Sequence, residues 1–186
     1  MRGRFIVVEG VRGCGKSTLA KAAHEKFGIT VVEDLSYLPF HRKIRDLFLR
    51  EGVPTLSRLA LSYASRVDLQ ENVIRPALLN GDNVLCERWY HSTEAYLLYP
   101  NELGPGYSST LREVFDILEP DLTVIRSVDW EVALERLHSQ DRKPNIFEKD
   151  ETFMKHVCDF YNGYCDGIRA DTLEIGLGHI RELLEG

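Results

Sequence analysis

Arg4-Phe5-Ile6-Val7-Val8-Glu9-Gly10-Val11-Arg12-Gly13-Cys14-Gly15-Lys16-Ser17-Thr18 is the stretch whose reading decides the fold. Arg4 to Glu9 is a short apolar run of the kind buried on both faces of a parallel sheet. Gly10 to Ser17 then matches GxxxxGK[ST], and the predicted helix from about Lys16 to Lys26 completes the strand–loop–helix context that the motif requires. The glycines let the backbone turn so that successive N–H groups point at phosphate oxygens, reinforced by the helix N-terminus. Gly10, Val11, Arg12, Gly13, Cys14, Gly15, Lys16, Ser17 and Thr18 are therefore the expected ATP-binding loop. Lys16 is expected on the β- and γ-phosphates and Ser17 on Mg²⁺. Cys14, inside the loop at a helix N-terminus, is expected to alkylate faster than the other thiols.

Working outward, Thr30 to Glu33 reads as a second strand and His41 to Arg50 as a short amphipathic helix. Leu56, Leu59, Ala60, Tyr63 and Val67 recur at helical spacing within Thr55 to Leu79, and Asn80-Gly81 ends that run. Asn83 to Glu87 is strand three. A loop over Pro100 to Tyr107 leads to a helix around Leu111 to Leu118, and Leu122 to Val128 is strand four. A helix over Trp130 to Leu137, a basic loop from His138 to Asn145, and a helix from about Asp150 to Ile168 follow. Strand five is expected near Thr172 to Ile175, before a C-terminal helix. The alternation predicts an α/β fold with three layers, a five-stranded parallel sheet carrying helices on both faces. Ligands bind such sheets at the carboxyl ends of the strands, where the motifs fall.

The chain has 186 residues, 44% hydrophobic and 28% charged, enough for one globular domain with a sizeable core. The expectation is a single domain over residues 1–186, with a lid segment at about 138–149. No apolar run approaches the ~20 residues of a membrane span, and Met1 to Val8 carries no signal-peptide pattern, so a cytoplasmic location is expected. The net charge of −6 comes without a basic stripe, which argues against a nucleic-acid polymer as partner and for small anionic ligands. Cys14, Cys86, Cys158 and Cys165 have no CxxC spacing, so neither zinc nor thioredoxin-type chemistry is signalled. Buried, reduced thiols are expected; a pairing with Cys86 or Cys14 stays open.

Strand three ends in Glu87-Arg88. A carboxylate there can hold the Mg²⁺ shell or act as a base, and the adjacent arginine can clamp an acceptor phosphate bidentately. Arg136, Arg142 and Lys143 are lid candidates able to neutralise charge on a transferring phosphoryl group. The guanine-binding string Asn-Lys-x-Asp is absent from the sequence. The short chain favours a small-molecule kinase over a motor or transporter.

RFIVVEGVRGCGKSTLA (Arg4–Ala20), LSYASRVDLQENVIRPALLNG (Leu61–Gly81), ERWYHSTEAY (Glu87–Tyr96) and PDLTVIRSV (Pro120–Val128) together resemble bacterial and archaeal thymidylate kinases. The resemblance is collinear through most of the chain. It implies transfer of the γ-phosphoryl group of MgATP to dTMP, on a five-stranded parallel sheet, in a homodimer joined through the long helices. It assigns Lys16, Glu87, Arg88 and Arg142 to catalysis, and Ser17 and Glu87 to Mg²⁺. It assigns Arg45, Ser62, Arg66, Arg88, Ser92, Thr93 and Tyr96 to the acceptor, with Arg45 and Arg88 on its phosphate.

The chain also departs from the family pattern. Arg12 stands where an acid is common, and Ser62 where an aromatic stacks on the base, with Tyr63 or Trp89 as possible replacements. Leu97 replaces a frequent glutamine, Glu33-Asp34-Leu35-Ser36-Tyr37-Leu38-Pro39 replaces an Arg-Glu-Pro stretch, and Asn145-Ile146 replaces an Asp-Arg pair. Two other readings remain at this point: a deoxynucleoside kinase using Glu87 as base toward a 5′-hydroxyl, and a nucleotide-binding regulatory protein without turnover.

Overall fold

The computed structural model describes residues 2–101, 105–139 and 145–186. Among them the strands are β1 (Phe5–Glu9), β2 (Thr30–Glu33), β3 (Val84–Glu87), β4 (Leu122–Arg126) and β5 (Ile168–Ala170). They form one sheet in the order β2-β3-β1-β4-β5, with every neighbouring pair parallel. β1 is central and buried at every position, as its unbroken apolar run requires.

The period of two along a strand splits the core between two faces. Ile6, Val8, Leu85 and Val124 point to one side, against Leu19 and Ala23 of α1 (Lys16–Phe27) and Ile180 of α9 (Leu173–Glu185). Phe5, Val7, Val84 and Cys86 point to the other, against Tyr63 and Leu69 of α3 (Thr55–Leu69) and Trp89. Each large apolar side chain so buried contributes about 1.5–3 kcal/mol, an upper figure because the unfolded chain is itself partly collapsed.

The predicted helix over Thr55 to Leu79 forms as α3, a π-helical segment (Gln70–Ile74) and α4 (Arg75–Leu79). α2 spans Pro39–Phe48, with Pro39 in the first turn, where its missing N–H costs nothing. The same rule corrects the next expectation. Pro105 opens α6 (Pro105–Val114), so the helix lies earlier than Leu111 to Leu118 and takes in part of the predicted loop. Asp116, at φ 46°, turns the chain into the approach to β4.

No element is predicted for 90–99, yet α5 (Tyr90–Thr93) runs into a π-helical segment (Glu94–Leu98) and a 3₁₀ turn (Tyr99–Asn101). α7 (Trp130–His138) matches its prediction. The helix expected to Ile168 is shorter: Asp150 caps α8 (Glu151–Asp159), a π-helical segment (Phe160–Tyr164) follows, and Cys165 turns extended. Ile168 is already in β5. Strand five is thus upstream of Thr172, whose hydroxyl accepts from the Ile175 N–H and caps α9. Thr172-Leu173-Glu174-Ile175 offers both a short β-like alternation and a threonine cap, and the cap decides for the helix.

The four cysteines are free and buried, so the open pairing with Cys86 or Cys14 does not form.

Candidate active site

The phosphate loop joins the tip of β1 to α1. Gly10, at φ +141°, passes so close to β4 that an added Cβ would stand 2.6 Å from the Arg126 carbonyl oxygen. Gly15, at φ +93°, starts α1 in the left-handed region that a side chain would strain. Lys16 is buried; its Nζ donates to the carbonyls of Gly10 at 3.0 Å and Val11 at 2.9 Å. Burial, and then Arg88, hold its pKa below the ordinary lysine value. Cys14 is fully buried, 3.6 Å from Lys16 Nζ. All four thiols are buried, so exposure gives Cys14 no advantage over the other three toward an alkylating reagent.

β3 brings Glu87 opposite. Ser17 Oγ donates to Glu87 Oε2 at 2.7 Å. Burial raises the Glu87 pKa; the Ser17 hydrogen bond and the Lys16 and Arg88 charges oppose that rise, and Glu33 adds to it. A hydroxyl and a carboxylate oxygen converging beside a phosphate loop are the hard donors that Mg²⁺ takes, with water and phosphate oxygens completing its shell. The pair therefore fits the ion that the motif implies.

Arg88 adopts φ 71°, a conformation costing of order 1 kcal/mol for a non-glycine residue. Its backbone N–H stays bonded to the Val8 carbonyl, and its guanidinium donates to Ser92 Oγ at 3.0 Å over the Tyr96 ring. The turn is held by Glu9, a carboxylate with 0% exposure. Glu9 accepts from the N–H groups of Trp89 and Ser92, from the Ser92 hydroxyl and from the Tyr161 hydroxyl. The sequence signal for this anchor was only an acid closing an apolar run.

The far wall is made of side chains from separate elements. Arg66 of α3 donates to Asp34 at 2.6 Å, to the Trp89 carbonyl at 3.1 Å and to Thr93 Oγ1 at 3.3 Å. Both partners of the ion pair are almost fully inaccessible, and burial raises the Asp34 pKa against the pull of Arg66. Asp34 Oδ1 and Arg66 Nε and Nη1 have no hydrogen-bond partner among the described residues. Arg45 of α2 donates to Ser36 Oγ at 3.2 Å. Ser62 is bonded to the Leu59 carbonyl and accepts from Thr93.

Neither expected replacement for the missing aromatic is free to act. Tyr63 is buried and stacked on Phe115, and Trp89 is buried edge-on to Phe5 with its indole N–H on the Leu118 carbonyl. The aromatic side chains that line the site are Phe48, Tyr96 and Phe147. Leu97 packs in the apolar cluster with Phe48 and Leu59.

Residues 145–149 bring a further carboxylate to the loop. Glu148 pairs with Arg12, and Lys149 pairs with Glu51. Asn145 N–H and Nδ2 donate to Glu148. Arg136 Nη1 donates to the Gly13 carbonyl at 3.1 Å. Arg142 and Lys143 lie outside the described residues.

These walls enclose a cavity of about 730 Å³, lined by Arg12 to Thr18, Glu87 and Arg88 on one side. Asp34, Arg45, Ser62, Arg66, Ser92, Thr93 and Tyr96 line the other. Gly10 and Val11 lie beneath, turned toward Lys16. Every expected acceptor residue thus borders one cavity. Asp34, Phe48, Arg126, Phe147 and Glu148 border it too, without having been singled out.

A parallel sheet with a complete phosphate loop at its central strand, facing a carboxylate and a wall of guanidinium groups, defines a P-loop phosphotransferase. A family model for thymidylate kinase matches residues 8–172. The chain is 35% identical over 164 residues to a thymidylate kinase of Fervidobacterium nodosum, covering 84% of this chain and 82% of that protein. It is 37% identical over 157 residues to one of Bordetella petrii, covering 81% and 75%. A solved thymidylate kinase from Candida albicans superposes with a TM-score of 0.74 at 21% identity, over 99% of this chain and 92% of that one. The chain belongs to the thymidylate kinase family.

Proposed function

We propose that this chain transfers the γ-phosphoryl group of MgATP to dTMP, giving dTDP and ADP. The observation that carries the reading is that the phosphate loop borders one cavity together with Arg45, Arg66 and Arg88. Such guanidinium groups suit an acceptor that brings its own phosphate.

In this reading a dTMP phosphate oxygen forms the new P–O bond as the bond between the γ-phosphorus and the β-bridging oxygen breaks. The phosphate is largely ionised near neutral pH, so the attack needs no base. That agrees with a Glu87 bonded to Ser17. Lys16 and the loop N–H groups bind the β- and γ-oxygens; Ser17 and Glu87 would hold Mg²⁺, which when bound neutralises charge on those oxygens. Arg45 and Arg88 hold the acceptor phosphate, while Ser62, Arg66, Ser92, Thr93 and Tyr96 shape its pocket. Arg142 enters on the family resemblance alone, in a lid at about 138–149 of a single domain.

A cytoplasmic location and a homodimer through the long helices belong to the same proposal. Exposed Leu56 and Leu79 on that helical run support the homodimer. Among the described residues no helix is long and apolar enough to cross a membrane.

ADP release followed with MgATP plus dTMP, with a deoxynucleoside, and with no acceptor tests the reading. Turnover is expected with dTMP. Turnover with the deoxynucleoside alone would make Glu87 a base toward a 5′-hydroxyl, and ATP binding without any turnover would make the chain a regulator.

A further inference from the structure

Arg126 is the last residue of β4 and is only 8% exposed, yet it forms no ion pair among the described residues. Its Nη1 donates to the Ala170 carbonyl at 2.6 Å and also to the Thr172 carbonyl, which fixes the guanidinium across the β5–α9 junction. Its Nε is buried without a hydrogen-bond partner among the described residues. The opposite edge of the group faces the phosphate loop: a Cβ built on Gly15 would stand 3.7 Å from Nη2 and 4.0 Å from Nε. Arg126 borders the cavity there together with Thr18 and Leu173.

Holding a guanidinium out of water with no carboxylate beside it is costly, and an unpartnered N–H adds to the cost. The Nε–Nη2 edge is the fork that grips two oxygens of an anion at once. Gly15 is the N-cap of the twelve-residue α1, whose first N–H groups and dipole favour an anion at the same place. Two independent features therefore call for negative charge in one corner.

We propose that Arg126 is a donor-nucleotide ligand that grips a phosphate of ATP retained in ADP. This rests on the reading above for the name of the anion, and extends it by a residue outside the phosphate-loop motif. Because the carbonyls of β5 and α9 already fix the group, little freedom is lost when the nucleotide enters.

The test measures binding without turnover, by calorimetry of ADP and of dTMP on the full chain, with wild type, Arg126→Met, Arg126→Gln and Arg126→Lys. ADP Kd should rise about tenfold or more in the Met and Gln variants, the scale of losing a charge-assisted hydrogen bond. Their ADP affinity should also depend less on salt, dTMP Kd should stay within about twofold, and Lys should restore part of the loss. The Gln variant, which keeps a donor for the two carbonyls, carries the test if the Met variant does not fold. An ADP Kd within about twofold of wild type in the Gln variant overturns the proposal. So does an equal loss of ADP and dTMP affinity with a lowered melting temperature, which would mark Arg126 as a strut. Failure of wild type to bind ADP would instead sink the functional reading itself.

Discussion

On one wall of the cavity, Gly10 to Thr18 is a single run of chain, the proposed donor side, of which Arg12 to Thr18 line the space. On the other, Asp34, Arg45, Ser62, Arg66, Ser92 and Thr93 come from β2's exit, α2, α3 and the helical run after β3, and meet only through folding. The donor wall depends on local geometry, set by glycines at positive φ and by the start of α1. The acceptor wall depends on tertiary contacts, chiefly the buried Arg66–Asp34 pair. Damage to the first should remove chemistry while sparing the fold, and damage to the second should cost both.

Lys16→Ala is the largest expected break. Removing a preorganised cation from developing phosphoryl charge costs of order 10²–10³ in kcat, about 2.7–4 kcal/mol. Steady-state rates and dTMP titrations on the same samples check it, with dTMP affinity expected to hold. A variant keeping more than about a tenth of wild-type kcat would mean that less than ~1.4 kcal/mol of barrier depends on this lysine. The donor wall would then not be the seat of chemistry.

The contrast between the walls also explains what the sequence could reveal. The loop was legible because its chemistry is contiguous: the glycine spacing, the lysine and the serine all sit within one turn. Arg45, Arg66 and Ser92 became visible only through resemblance, since nothing local distinguishes a wall arginine from a solvated one. Glu9 and Asp34 hold the acceptor side in place, yet each reads locally as an acid after a strand. Their meaning lies in partners 80 and 32 residues away. The sheet was legible from its alternating runs, while β5 and α6 were misplaced where a threonine cap and a first-turn proline outweighed propensity.

Asp34→Ala should break the acceptor wall differently. It leaves the Arg66 guanidinium buried without its carboxylate, and unpairing one partner of a buried ion pair costs about 3–5 kcal/mol. For a chain of this size each kcal/mol lowers Tm by roughly 2–4 °C. Differential scanning calorimetry should show that fall, and the KM for dTMP should rise more than the KM for ATP. An unchanged Tm would show that the acceptor wall stands without this pair and would remove the contrast with the donor side.

The smallest effect sharpens the boundary between the walls, at Glu87. Burial raises its pKa, the Ser17 hydrogen bond opposes that, and the Glu33 charge raises it further. Glu33 stands directly beside Glu87 in the β2–β3 register, at the exposed end of β2. If Glu87 works as a carboxylate, activity falls as pH drops through its pKa; burial and the Glu33 charge push that acid limb up, and bound Mg²⁺ pulls it down in both proteins alike. Glu33→Gln removes a neighbouring negative charge, makes Glu87 easier to ionise, and should move that limb to lower pH with the plateau kcat unchanged. Protonation of the dTMP phosphate also contributes to the limb, but it is the same for both proteins and cancels in the difference. Because Glu33 is solvent-exposed, the displacement should shrink as salt rises from about 0.01 M to 1 M, where screening shortens from roughly 30 Å to 3 Å. A limb that stays in place at low salt, or moves upward, would mean that Glu87 is not the group titrating there. Its place between loop and acceptor would then be structural.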